Sequence, residues 1–246
     1  MYDDSVRRRA RRLRTAGGTV SEVAQALHVS RSTIRSWETR PSTAPPHRCP
    51  RCDGRALDAS GYSALLGYYL GDGCLSRAAR YSTLRISCDT VYPGVIDDVS
   101  RCVASVRQGP VHLVPAPGCT VVQAGWKHWP CLFPQHGPGR KHERPIVLEP
   151  WQREIVEQHP AEFLRGLFHS DGSRVRNWAR RPVAGELKRY DYPRWQFSNT
   201  SADIRDLCGW ALNLVDVAWR ASSTKHVSVS RRAAVARLDE VIGPKA

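Results

Sequence analysis

Apolar positions along the chain follow a helical spacing near the start and mix it with alternation from about residue 61. In "TVSEVAQALHVSRSTIRSWE", Val20, Val23, Ala24 and Leu27 fall on one helical face. A turn passes through His28, and Ile34 and Trp37 then continue the inner face. Thr19 followed by Glu22 fits a capping box, Ser30 reads as a second N-cap, and Val29 and Ile34 are spaced as a hydrophobic staple. Further on, "YSTLRISCDT" alternates as a strand, a helix-like "YPGVIDDVSRCVASV" follows, and "PVHLVP" and "CTVVQAGWKHW" are β-rich. The same order returns in "YPRWQFSNTS", "ADIRDLCGWALNLV", "AWRASS", "KHVSVSR" and a last helix, "RAAVARLDEVI".

Each of these two runs is preceded by an apolar helix that stops at an acid. "SALLGYYLGDGC" (63–74) and "EFLRGLFHSDGS" (162–173) match without gaps at an offset of 171 − 72 = 99 residues. Gly67 pairs with Gly166, Gly71 with Ser170, Asp72 with Asp171 and Gly73 with Gly172. An acid at a helix C-terminus is disfavoured by roughly 0.3–1 kcal/mol, so two of them need a reason. The small residues Gly67, Gly71, Gly166 and Ser170 would let the two helices pack backbone to backbone. Both carboxylates would then meet at one end of the seam, while Asp-Gly stops each helix.

The formal net charge of +14 and a pI near 9.9 point to a polyanionic partner. With that charge, the paired helices at the start resemble a helix-turn-helix, whose second helix would offer Arg31, Ser32 and Arg35 to a DNA groove. Arg7, Arg8, Arg9, Arg11, Arg12 and Arg14 read as a phosphate-contacting face or as a solvated basic helix. Apolar runs fall far short of the ~20 residues that cross a bilayer, and the basic N-terminus lacks the apolar core of a secretory signal. Eight cysteines without framework spacing then suggest reduced thiols in a cytoplasmic, nucleoid-associated protein.

The doubled acid-tipped helix and the order downstream resemble the LAGLIDADG homing-endonuclease family in its single-chain, two-repeat form, with "LLGYYLGDG" and "LRGLFHSDG" at its nine-residue motif. The resemblance implies an α+β fold of two αββαββα repeats with saddle-shaped antiparallel sheets, here behind a small all-α helix-turn-helix domain. The expected organisation is helix-turn-helix 1–40, Pro-rich linker with CxxC 41–60, first repeat 61–145, linker 146–158 and second repeat 159–246. The resemblance further implies double-stranded DNA as partner, a monomer carrying both repeats, and Mg²⁺ or Mn²⁺ held by Asp72 and Asp171 for phosphodiester hydrolysis in both strands. It also implies a basic catalytic residue on the later strand pair of each repeat, for which Lys127 and Lys225 are the candidates; only five of the 37 basic residues are lysines. Arg85, Ser87, Arg194, Gln196 and Ser198 alternate with apolar neighbours and are candidates for contacting bases.

Two points stay open. "HRCPRC" could place Cys49 and Cys52 on zinc, completed by His47 and a distant cysteine or histidine, or it is a turn with two free thiols. The helix-turn-helix also fits a transcriptional regulator that keeps the fold and does not cleave.

Overall fold

Among the described residues, three short helices make up the first unit. They are α1 (Asp4–Thr15), α2 (Val20–Ala26) and α3 (Arg31–Thr39). The capping box forms in both directions: Thr19 Oγ1 accepts from Glu22 N at 3.2 Å, and Glu22 Oε2 accepts from Thr19 N at 2.7 Å. His28 takes φ 53°, so the chain turns sharply between α2 and α3. Ala10, Val23, Ala24, Val29 and Ile34 form the buried centre. Arg31, Ser32 and Arg35 are exposed on α3. The arginines of α1 divide by role. Arg11 donates to Trp37 O at 3.3 Å, and Arg14 pairs with Glu38, so both tie the helices together, whereas Arg9 and Arg12 are exposed.

The computed structural model describes residues 4–39, 48–183 and 185–246, and divides into one unit of residues 1–48 and another of 49–246. In chain order the larger unit contains α4 (Ala59–Leu70), β1 (Gly73–Arg77), β2 (Ser82–Asp89), α5 (Pro93–Arg107), β3 (His112–Ala116), β4 (Cys119–Trp126) and α6 (Trp129–Leu132). Then follow α7 (Pro150–Gln158), α8 (Pro160–Asp171), β5 (Gly172–Val183), β6 (Glu186–Ser198), α9 (Ala202–Leu214), β7 (Arg220–Ser223), β8 (His226–Val229) and α10 (Arg232–Ile242). Two four-stranded antiparallel sheets result, ordered β1-β2-β4-β3 and β5-β6-β8-β7. The two halves therefore repeat one topology.

Alternation in the strands sets the faces. Leu84, Ile86, Val122, Ala124 and Trp126 turn inward from the first sheet, and Trp195, Phe197, Val227 and Val229 from the second. Both sets join one core with α4 and α8. Every residue of α4 from Tyr62 to Leu70 is buried, which explains why this helix has no polar face. Asp58 starts it by accepting from Gly61 N at 3.0 Å.

The expected boundaries shift in two places, and one hairpin is longer than the sequence pattern suggests. Cys49 belongs to the larger unit and is fully buried in its core, so the CxxC does not lie in a linker. Residues 146–158 contain α7, whose Val156 and Gln152 are fully buried; Gln152 Nε2 donates to Tyr62 Oη at 2.7 Å. β5 and β6 pair from Gly172↔Phe197 out to Val183↔Glu186, while β8 reaches only Trp195–Ser198. Most of that hairpin is a two-stranded ribbon with solvent on both faces.

Candidate active site at the end of the helix seam

Gly67 and Gly166 are where α4 and α8 touch. A Cβ on Gly166 would lie 2.7 Å from Tyr68 N and 2.9 Å from Gly67 Cα, and would also meet Ala64 O; one on Gly67 would lie 2.9 Å from Leu167 N. One turn on, Gly71 faces Ser170, and the space beside it holds the Asp171 carboxyl carbon, 3.6 Å from where a Gly71 Cβ would be. The small residues thus bring the C-terminal ends of both helices together, with Asp72 and Asp171 at the tip.

The charge of Asp72 acts on Asp171. Asp171 is pushed up to about 6, first by burial and then by the negative charge of Asp72. Asn199 Nδ2 donates to Asp171 Oδ2 at 2.6 Å and pulls the other way. Asp72 is raised by the protein atoms around it, although one side of the residue opens to solvent, and Lys141 and Lys245 oppose the rise.

Those two lysines answer the helix-end problem. Lys141 Nζ donates to Tyr69 O at 2.8 Å, to Leu70 O at 2.9 Å and to Gly71 O, so it caps α4. Lys245 Nζ donates to Ser170 O and Gly172 O, both at 3.2 Å, and caps α8. Lys141 is the stronger cation for both acids, but the lysines themselves rank the acids in crossed order. Lys141 feels Asp171 more than Asp72, and Lys245 feels Asp72 more than Asp171. Burial nevertheless lowers both lysines, Lys141 to about 8. Two clefts follow the same crossing: one gathers Asp171, Lys141, Ser198 and Asn199, the other Asp72, Lys245 and Ser87.

Of the residues anticipated from sequence, the structure gathers Asp72, Asp171, Ser87 and Ser198 around this point. Arg85 is exposed on the outer face of β2; Arg194 and Gln196 sit on the corresponding face of β6, where Arg194 donates to Gln196. Lys127 lines a separate groove with Arg77, Arg80 and Tyr81. Lys225 is exposed in the β7–β8 turn, where its carbonyl accepts from Asn199 N at 3.0 Å. Neither is among the lysines whose charge acts on the acids. The missed signal was a second repeat: Gly139-Arg140-Lys141 and Gly243-Pro244-Lys245 each follow the helices of one half. Gly139 (φ 75°) and Gly243 (φ 70°) both lie in the region that favours glycine, and they turn the chain ahead of each lysine.

The site costs stability. Asp171 binds its proton more tightly folded than unfolded, so stability falls as pH rises from about 4 to about 6 and the deficit persists above that. Asp171→Asn should therefore raise unfolding stability at pH 7 by about 1–2 kcal/mol, discounted for partial exposure, with no gain at pH 4. Thermal melts at the two pH values check this.

A scan against models of protein families finds no match to the chain, and a search of curated proteins finds none either. Solved structures do resemble it. The N-terminal LAGLIDADG domain of DUF199/WhiA matches at 14% identity and TM-score 0.47, covering 77% of this chain and 83% of that one. Full-length DUF199/WhiA from Thermatoga maritima matches at 16% and 0.49, over 75% of this chain and 55% of its own length. The homing endonuclease I-WcaI, solved bound to its DNA recognition sequence, matches at 12% and 0.49, over 83% and 91%. The doubled αββαββα order, the matching sheets and the glycine-packed pair of acid-tipped helices give this chain a LAGLIDADG-type fold.

Proposed function

We propose that the chain binds double-stranded DNA in a sequence-specific way and, with a divalent cation, hydrolyses a phosphodiester bond in each strand. The observation that carries this reading is the meeting of Asp72 and Asp171 at one end of the α4–α8 seam, close enough for the charge of one to raise the pKa of the other. The donors suit Mg²⁺ or Mn²⁺: two carboxylates are hard oxygen ligands, and the neighbouring Ser170 Oγ is buried without a hydrogen-bond partner among the described residues. Asp72 and Asp171 would hold the ion, which supplies Lewis-acid polarisation of phosphate and a water of lowered pKa.

Charge balance adds a condition. Two carboxylates and two ammonium groups already cancel, so the free protein has little attraction for a divalent ion. Two DNA phosphates beside the acids would restore the need for two positive charges, which a divalent ion held by Asp72 and Asp171 would supply. Lys141 and Lys245 hold the helix ends and keep the acids ionised beside the incoming phosphates.

DNA contact is supported by surfaces that reach beyond the acids. The β5–β6 hairpin carries seven basic residues (Arg174, Arg176, Arg180, Arg181, Lys188, Arg189, Arg194) against two acidic ones, Glu186 and Asp191. Its exposed Trp178 has the Arg180 and Arg189 guanidiniums at 5.6 and 5.2 Å from the ring. A two-stranded ribbon of this kind fits the major groove. In the first unit, exposed Arg31, Ser32 and Arg35 begin the helix that a helix-turn-helix would insert. One copy of the chain supplies both acids, so the active unit is a monomer.

A regulator that binds and does not cut is the second reading. It is favoured by the same two lysines, because built-in cations already balance the acids. The test is to select bound sequences from random duplex DNA and incubate the complex with Mg²⁺ or Mn²⁺. Metal-dependent cutting of both strands is expected. Tight binding without cutting in either metal removes the nuclease and leaves the regulator. Affinity that stays flat between about 50 and about 200 mM salt contradicts DNA as the partner.

A further inference from the structure

Four side chains far apart in sequence meet on the larger unit outside the acid site: Cys49, Cys52, His128 and Cys131, with ligand atoms all within 4.8 Å of one another. Cys52 Sγ lies 3.6 Å from Cys131 Sγ, and Cys131 Sγ lies 3.7 Å from His128 Nδ1. A tetrahedral zinc with Zn–S near 2.3 Å and Zn–N near 2.0–2.1 Å spaces its ligands about 3.6–3.8 Å apart. A disulfide would need sulfurs about 2.05 Å apart, and all eight cysteines are free.

We infer that Cys49, Cys52, His128 and Cys131 bind a structural zinc ion. Cys49 and Cys52 stand at the two ends of a tight Cys-Pro-Arg-Cys turn. Asp53 fixes that turn: Asp53 Oδ2 accepts from Cys49 N at 2.7 Å, and Asp53 N donates to Cys49 O at 2.9 Å. Trp129, which lies in sequence between the two remaining ligands, is fully buried, and its Nε1 donates to Ala124 O at 2.8 Å.

Binding releases the protons of three thiols and leaves a centre of net charge −1. Four protein ligands fill the tetrahedron and leave no place for a substrate, so the role is structural. The ion joins the start of the larger unit, residues 49–52, to the end of β4. It also anchors the base of the loop that delivers Lys141 ten residues after Cys131. His47 lies outside the described residues, and the cluster is complete without it.

The test uses the full chain, purified reduced from zinc-supplemented medium. One zinc per chain by elemental analysis is expected, and the metal-free reduced chain titrated with Co²⁺ should give the absorption of a tetrahedral thiolate complex at one equivalent. Cys52→Ser should lower zinc affinity more than about a hundredfold, beyond the loss seen when an outer-shell partner is removed. Cys74→Ser, an exposed cysteine elsewhere, should leave affinity unchanged. Substoichiometric zinc together with no tetrahedral cobalt spectrum from the wild-type chain overturns the site. So does equal zinc affinity in the two variants. The cobalt titration needs no variant, so a Cys52→Ser chain that fails to fold does not decide the matter.

Discussion

Gly166→Ala is expected to cost about 3 kcal/mol, a large loss for one methyl group. The added Cβ meets Ala64 O, Tyr68 N and Gly67 Cα, all main-chain atoms of α4. Nothing there can rotate away, so the two helices must move apart along the centre of the core. Overpacking costs typically 1–3 kcal/mol and sometimes more, and this position lies toward the high end because the obstacle is backbone. For a unit of this size that loss lowers the melting temperature by roughly 6–12 °C. Gly137→Ala is the control, since its Cβ would meet only the flexible Arg144 side chain at 3.4 Å, and it should change stability by less than about 0.5 kcal/mol. A Gly166→Ala chain as stable as the control would mean that α4 and α8 do not touch there.

Asp72→Asn and Asp171→Asn carry the largest expected effect on activity. Each substitution keeps the shape of the side chain and removes a charge. The proposed ion is shared, so neither acid is dispensable and both strand cuts should fall together, by about 10³-fold for a loss of some 4 kcal/mol. DNA affinity should hold or rise slightly, because a negative charge facing phosphates has gone. Cleavage should rise with pH as Asp171 ionises around 6 in the free protein, and fall again as Lys141 loses its proton near 8. Unchanged cutting in either variant contradicts a role for the acid pair. Loss of one strand's cut alone would mean that each acid serves its own phosphate.

The stability gain expected for Asp171→Asn belongs to the same picture. A half-buried carboxylate held beside another is unfavourable for folding, and it persists where chemistry needs it. Opposite effects of one substitution, more stable and less active, separate a functional acid from a structural one.

The doubled helix was legible because its constraints are local. Two backbones can approach only over small residues, so glycine recurs at fixed spacing; the acid follows at a fixed step, and the two copies align at an offset of 99 residues. The sheets were legible for a related reason: Leu84 and Ile86, or Trp195 and Phe197, alternate because one face meets the core. The outer part of the β5–β6 ribbon was hidden, since solvent on both sides removes the alternation that marks a strand. Helix α7 was hidden by shortness, with only part of its surface facing the core.

At the site itself the acids could be read and their counter-ions could not. Lys141 and Lys245 sit in Gly- and Pro-containing segments without periodicity, and they reach the helix ends only through tertiary folding. Lysines on the later strands looked better placed by analogy. The arrangement instead uses cations that follow each half and reach back to cap the helix that began it. The ligands proposed for zinc show the same limit: CxxC would mark half of the site, and the other half lies 79 residues away from Cys52 at Cys131.

The proposed reaction needs two carboxylates, from the two halves of the chain, in one electrostatic site. Titration of aspartate carboxyl carbons by NMR, with selective ¹³C labelling, measures this directly. In the wild-type chain Asp171 should titrate near 6, and Asp72→Asn should move it clearly downward, because the neighbouring negative charge has gone. An Asp171 that titrates as an ordinary exposed aspartate, or that ignores the substitution at residue 72, would contradict the shared site and the reaction proposed for it.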